Sequence, residues 1–263
     1  MKIATFNVNS INARLPRILE WFDAAKPDVA VLQEIKCVDE KFPSLEFEDR
    51  GYNVEVHGQK TYNGVALLSK FPLDDVMRGL PLLDGDEEDE QARYIEALVM
   101  PDNAEPVRVG GLYLPNGNPA PGPKYDYKLA WMKRLKKHAE DLLKNEEAFV
   151  LAGDYNVIAQ AEDAYDAAAW ADDALFLPQT RAAFREIVNL GLTDALRQAD
   201  PNGVRYTFWD YQRGSWQKDH GIRIDHLLLS PQAADRFKDA GVDRSERGKE
   251  KPSDHVPVWV ELG

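Results

Sequence analysis

Polar side chains recur where otherwise apolar stretches of this chain come to an end: Asn7, Glu34, Tyr113, Asn116, Asp154, Asn156, Asp225, Asp254 and His255. Their types suit hydrolysis at a charged centre. In Leu151-Ala152-Gly153-Asp154-Tyr155-Asn156-Val157 an apolar run breaks at Gly153 and then offers an acid and an amide two residues apart, which the strand period of two points to the same side. A carboxylate beside a neutral donor can orient water and hold a developing oxyanion. Gly, Asp and Asn are also ordinary turn residues, so Asp154 taken alone reads as a base, a metal ligand or part of a turn.

Asp225 is more informative. An acid flanked by Ile222, Ile224 and Leu227 to Leu229 is costly to bury without a partner, and His255 is a natural one. The pairing would hold His255 in one tautomer, raise its pKa and favour its charged donor form. With Glu34 as a hard oxygen ligand for Mg²⁺ or Mn²⁺, the set fits metal-assisted phosphodiester hydrolysis. The division of labour expected is Asp154 as the base for water, His255 and Asn156 as donors to phosphoryl oxygens, and Glu34 on the metal.

The elements that must position these groups follow from periodicity. Ile3 to Val8 and Asp28 to Gln33 read as strands that end near Asn7 and Glu34, with a helix between them carrying Leu15, Ile18, Leu19 and Phe22. Tyr52 to Val56 and Gly64 to Ser69 read as an antiparallel pair, and Arg93 to Met100 and Val107 to Leu114 as two more strands. A helix over about Tyr125 to Lys144 has Leu129, Met132, Leu135, Ala139 and Leu142 on one face and Lys133, Lys136 and Lys137 on a solvated one. Beyond the Phe149 strand come a helix over Thr180 to Leu190, a short strand Tyr206 to Trp209, a buried strand Ile222 to Leu229, a helix from Pro231 and a last strand Val256 to Leu262. The acidic run Asp84 to Glu90 reads as a solvated loop, and Ala161 to Leu177 as short helix and loop. Strands outnumber helices and several neighbours are antiparallel, which predicts two packed mixed sheets with helices outside.

Composition sets bounds on all of this. With 263 residues, 44% of them hydrophobic, the chain can bury a large core as one domain, residues 1–263. Cys37 is the only cysteine, which excludes an intrachain disulfide and a multi-cysteine zinc site and fits a reducing cytosol. No leader-like or membrane-spanning apolar segment is present, so a cytoplasmic protein without membrane contact is expected. A net charge of -13 argues against a pure nucleic-acid binder, yet an acidic protein can carry one locally basic face and recruit divalent cations. Neither P-loop spacing nor a Gly-x-Ser-x-Gly elbow occurs.

Taken in order, Thr5-Phe6-Asn7-Val8-Asn9, Leu32-Gln33-Glu34-Ile35-Lys36, Tyr113-Leu114-Pro115-Asn116-Gly117, Gly153-Asp154-Tyr155-Asn156, Arg223-Ile224-Asp225 and Ser253-Asp254-His255-Val256-Pro257-Val258 span nearly the whole chain. In these motifs the chain resembles the exonuclease III family of abasic-site DNA endonucleases, within the endonuclease/exonuclease/phosphatase superfamily. The resemblance implies a four-layered α/β sandwich acting, as a monomer, on double-stranded DNA with abasic sites or with blocked or recessed 3′ ends. It further implies that Asn7 supports Asp154, that Tyr113 and Asn116 contact phosphate, and that Asp225 orients His255. Glu34, with Asn9 or Asp254, would hold Mg²⁺, for which Mn²⁺ can substitute. Arg93 falls where the family places a basic phosphate contact. Phe208, Ile222 and Ile224 match a pocket for a flipped-out abasic sugar, which has less to lose on unstacking than a normal nucleotide. The loop Asp210 to His220 and the stretch Arg244 to Lys251 would then face DNA. Asn9 stands where some relatives have Asp, which weakens the case for a second strong ligand there.

The superfamily also contains inositol-phosphate phosphatases and sphingomyelinases, against which the Tyr-Leu-Pro-Asn-Gly segment and the apolar trio favour DNA. The expected activity is hydrolysis of the phosphodiester 5′ to an abasic site, with 3′-to-5′ exonuclease and 3′-phosphatase activity. The runner-up is a 3′-exonuclease or 3′-phosphatase with weak abasic-site incision, and a catalytically dead scaffold would require losses among these residues that the chain does not show.

Overall fold

The computed structural model describes residues 1–263 and contains two six-stranded sheets packed face to face. At the centre of the first, β1 (Lys2–Asn7) and β2 (Val29–Gln33) run parallel. The antiparallel β4 (Val65–Ser69) and β3 (Asn53–His57) extend one side, and β12 (Val258–Leu262) and β11 (Phe237–Val242) the other. The second sheet repeats the plan around the parallel pair β7 (Val107–Tyr113) and β8 (Phe149–Asp154). Its flanks are β5 (Leu73–Arg78) and β6 (Tyr94–Val99) on one side, β10 (Asp225–Leu229) and β9 (Thr193–Asp194) on the other.

Alternation along the strands creates the layers. In β1, Ile3 turns to the space between the sheets, where it meets Val29, Val31, Ile95, Val109, Val150 and Leu227. Ala4 and Phe6 turn outward under the helix α1 (Ile11–Ala25) and the short helix α2 (Ser44–Glu48), into a cluster with Ile18, Trp21, Phe22 and Phe47. On the far side of the second sheet, Leu112, Leu151 and Leu228 are covered by Trp131, Met132 and Leu135 of α3 (Pro123–Leu143) and by Phe184 and Ile187 of α4 (Pro178–Val188). Both faces of each sheet are thus buried, which requires the near-continuous apolar runs seen in β2, β4 and β8. The result is helix, sheet, sheet, helix, the four-layered α/β sandwich expected. No helix is long and apolar enough to cross a membrane.

Several elements differ from the sequence reading. Strands β5 and β11, half exposed at sheet edges, lack the apolar pattern that would have revealed them. Tyr206 to Trp209 is not a regular strand: Phe208 makes isolated bridges to Ile222 and His255, and regular pairing of the following strand begins at Asp225. The helix at Pro231 is a single turn, Pro231–Ala234. The acidic run is not merely solvated, because Asp89 accepts hydrogen bonds from Arg134 (2.7 Å) and Tyr127 (3.0 Å) on α3.

Topology explains why polar groups collect at one rim. Two parallel pairs bring the C-terminal ends of β1, β2, β7 and β8 to the same edge, and the antiparallel β10 and β12 begin there. Asp225 lies directly opposite Asp154 in the β8–β10 register, and Tyr113 opposite Asp154 in the β7–β8 register. Gly153 permits the close strand approach: a Cβ there would collide with the carbonyl oxygen of Leu112.

Candidate active site

At that rim Asp154 and Asp225 are each only 1% exposed, and His255 is 4% exposed. His255 Nδ1 lies 2.9 Å from Asp225 Oδ2, while its Nε2 is 3.7 Å from Asp154 Oδ2, too far for a hydrogen bond. The backbone amides of Ile224 and Asp225 both donate to Thr207 Oγ1, which fixes the start of β10. Ser253 Oγ donates to the Asn7 carbonyl (2.7 Å) and accepts from the His255 amide (3.2 Å), tying the loop before β12 to the end of β1. Asn7 Nδ2 bridges the two catalytic-type acids, donating to Glu34 Oε1 (2.8 Å) and Asp154 Oδ2 (2.9 Å).

Electrostatics separates the acids. Burial drives the Asp154 carboxyl upward; His255 opposes this and Asp225 adds to it, leaving its pKa raised. For His255 burial works the other way, but Asp225 and Asp154 outweigh it and raise the imidazole to about 10, so the ring is a cation with Nδ1 on Asp225 and an Nε2 proton free for a substrate oxygen. Burial would also raise Glu34, yet hydrogen bonds from Asn7 and Lys36 hold it below its ordinary value. One acid is therefore made basic and its neighbour kept ionised.

Glu34, Asp154 and His255 present ligand-type atoms within 4.8 Å of one another. A charged imidazole is no metal ligand, which leaves the carboxylate oxygens of Glu34 and Asp154, hard donors suited to Mg²⁺ or Mn²⁺. Lys36 Nζ already places a cation here, 2.8 Å from Glu34 Oε2 and 2.6 Å from Asn9 Oδ1. Asn9 has its single oxygen engaged by Lys36 and its amide donating to Asp254 Oδ1 (3.1 Å), so Asn9 and Asp254 are paired with each other. Asn9, Glu34 and Asn156 all have left-handed backbones, with φ of 44°, 51° and 49°. For Glu34 this is an uncommon conformation, held by the Ser10 amide donating to its carbonyl at 2.7 Å.

The phosphate-side candidates converge from the loops after β7 and β8. Asn156 Nδ2 donates to the Leu114 carbonyl (2.9 Å), its backbone amide to Asp154 Oδ1 (2.9 Å), and its Oδ1 accepts from Asn116 Nδ2 (3.3 Å). Arg93 stacks its guanidinium 4.9 Å above the half-buried Tyr113 ring and donates to the Tyr113 carbonyl. The Tyr113 hydroxyl is pushed well above its ordinary pKa by burial and by Glu34 and Asp154, so it remains a donor.

The apolar trio packs together in one small cluster, of which only Phe208 and Ile222 reach an open cleft. Phe208 packs edge-on against His255 (5.0 Å between centroids) and, with Ile222, lines an adjoining cleft of about 380 Å³ together with Tyr165, Trp170 and Arg213. Ile224 shares the buried cluster of Ile222, Ile158, Ala164 and Leu175, against which Phe208 packs, but does not itself line the cleft. Tyr165 and Trp170 come from a segment whose alanine-rich sequence carries no legible pattern. Lys36, Lys128, Thr207 and Ser253 were also missed as participants. Lys36 and Ser253 sit inside the quoted motifs, whereas Lys128 looks like any lysine of an amphipathic helix.

The model of the family described as Endonuclease/Exonuclease/phosphatase matches residues 4–255. Over 270 residues, covering all of both chains, the protein is 34% identical to Exodeoxyribonuclease III of Haemophilus influenzae. Among solved structures it is similar to the 3′-5′ exonuclease NExo of Neisseria meningitidis, at 40% identity and a TM-score of 0.93 over all of this chain and 99% of that one. NExo has also been solved as a 3′ phosphatase bound to product DNA hairpin. An AP endonuclease from Archaeoglobus fulgidus is 36% identical, with a TM-score of 0.92 and the same coverage.

Proposed function

The chain belongs to the Endonuclease/Exonuclease/phosphatase family, in its exonuclease III branch, and is a nuclease; from that premise we propose that it hydrolyses the phosphodiester 5′ to an abasic site in duplex DNA. The observation that carries this reading is the trio of Asp154, Asp225 and His255. A buried carboxylate with a raised pKa stands 3.7 Å from a cationic imidazole, so that side by side one can meet a water and the other a phosphoryl oxygen. Asp154 takes the proton of the attacking water as its oxygen bonds to phosphorus. The bond from phosphorus to the 3′ oxygen breaks, and that oxygen takes up a proton from solvent, leaving a 3′-hydroxyl and a 5′-phosphate. His255 and Asn156 donate to the phosphoryl oxygens as charge accumulates, Asp225 keeps the imidazole oriented, and Asn7 aims Asp154. Tyr113, Asn116 and Arg93 seat the phosphate. Glu34, with the neighbouring carboxylate oxygens, would hold Mg²⁺, which neutralises phosphoryl charge when bound. General acid–base help is worth about 10²- to 10⁴-fold and one oxyanion donor about 10²- to 10³-fold, so the rate requires the set.

A second reading has its own support. The open cleft beside the Phe208 ring that packs on His255 is lined largely by aromatic and polar groups. Such a cleft fits a 3′-terminal nucleotide or phosphate better than a bare sugar, and NExo, 40% identical, is named for both 3′ activities. The test uses one duplex with an internal abasic analogue and another with a recessed 3′ end, each with and without EDTA. Incision of the first establishes the main reading; trimming of the second alone establishes the other. Equal rates in EDTA would remove the metal from either.

A further inference from the structure

Lys128, in the second turn of α3, is completely buried, and no carboxylate lies within ion-pair distance of it. Its ammonium donates to two main-chain carbonyls, those of Asn156 (2.6 Å) and Asn116 (3.0 Å). These belong to different loops, one after β8 and one after β7, and to the two residues whose side-chain amides meet at 3.3 Å on the other side of the backbone. Gly117 is packed against the lysine stem, where a Cβ would approach Lys128 Cδ to 2.7 Å.

A buried ammonium without a paired carboxylate is expensive. Burial lowers the Lys128 pKa to about 7, with Asp154 and Asp173 pulling it back up. A methionine of similar volume would fill the space without that cost. The lysine must therefore do something at the place where it ends.

We propose that Lys128 is a positioning residue for the nuclease reaction: its ammonium cross-links the Asn116 and Asn156 backbones from behind, setting the angle at which both amides meet the phosphate. This rests on the phosphate-side roles proposed above. Two oriented donors and a positive charge behind them favour phosphoryl charge as it grows, an effect that needs no rearrangement during the reaction. Asn156 has little freedom otherwise, since its left-handed backbone (φ 49°) is held by the Asp154 carboxylate on one side and Lys128 on the other.

The test compares Lys128→Met and Lys128→Gln with the parent enzyme on the recessed-end duplex and the abasic duplex. The expected result is a fall in kcat of about 10- to 100-fold with KM within a few-fold, somewhat less than loss of a whole oxyanion donor. In a cycle with Asn156→Ala, the double variant should lose no more than the worse single one. ¹⁵N-resolved spectra supply a readout independent of activity: the side-chain amide signals of Asn116 and Asn156 should move or broaden in whichever Lys128 variant folds. Unmoved amide signals, an unchanged kcat in an active enzyme, or multiplicative losses in the cycle would each overturn the role of Lys128. An inactive parent enzyme would instead refute the nuclease reading, and the amide signals would still decide this one.

Discussion

Two clusters of buried charge lie against the same strand and are built on opposite terms. On one side of β10, Arg223 donates to both oxygens of Asp163 (2.8 and 3.2 Å) and to Asp194 (2.8 Å), and Arg197 adds a third bond to Asp163. Two arginines face two acids, and all four carboxylate oxygens are bonded, the remainder by the amides of Gln160, Leu196 and Arg197. On the other side, Glu34, Asp154 and Asp225 share one imidazole and one lysine. Asp225 Oδ1 is buried with no partner, and the Asp154 carboxyl is pushed up by burial rather than held down. Buried charge that is balanced, with every carboxylate oxygen bonded, reads as architecture. Buried charge left in excess reads as chemistry, because its missing partner is the substrate or the metal.

The comparison can be broken at its most reactive point. Asp154→Asn should lower turnover by about 10²- to 10⁴-fold while DNA binding, followed by fluorescence anisotropy, survives. Its stability should hold or rise, since a strained buried carboxylate is removed. A variant with near-parental turnover would show that another group activates water.

The balanced cluster should respond in stability instead. Arg223→Met strands two buried carboxylates and should cost about 3–5 kcal/mol in denaturant unfolding. A loss below roughly 1 kcal/mol would mean that the cluster is not structural in the sense argued here.

Asp225→Asn tests the link between the acids. The parent imidazole, raised to about 10 by Asp225 and Asp154 against burial, donates only while protonated, so the rate should fall as pH rises through about 10. Without the Asp225 charge the alkaline limb should move toward the ordinary histidine value of about 6.5, with a drop of about tenfold at the optimum. A limb that stays in place would assign it to another group.

The smallest effect concerns acid. Burial would raise Asp194, but Arg223 and His226 outweigh it and hold it below its unfolded value. Its stabilisation is therefore complete above the unfolded pKa of about 3.9 and is lost as pH falls below that, by roughly 1 kcal/mol near pH 3. Arg223→Met should remove this share of the acid dependence.

Much of the site was legible because strand ends are. Asn7, Glu34, Asp154, Asn156, Asp225 and His255 each interrupt or follow an apolar run, and a period of two says which way such a run points its last residues. Asp225 announced a partner by being an acid among isoleucines and leucines, and Asp225 and His255 are in fact 2.9 Å apart. Other residues gave no such signal. Tyr165 and Trp170, which join Phe208 and Ile222 at the open cleft, come from an alanine-rich segment with no legible period. Lys128 has the same sequence context as the solvated lysines Lys133 and Lys137, and Asp163 and Arg223 stand 60 residues apart with nothing local to pair them.

By itself, then, the sequence determined the two sheets, the outer helices, the family and the acids, amides and imidazole that gather at one rim, because these follow from periodicity and residue type. The tertiary structure alone decided which acids are balanced and which are not, where Lys128 ends, and which apolar side chains line an open cleft. Those outcomes depend on distances between groups far apart in the chain and on how completely each is removed from water, quantities that local sequence does not encode.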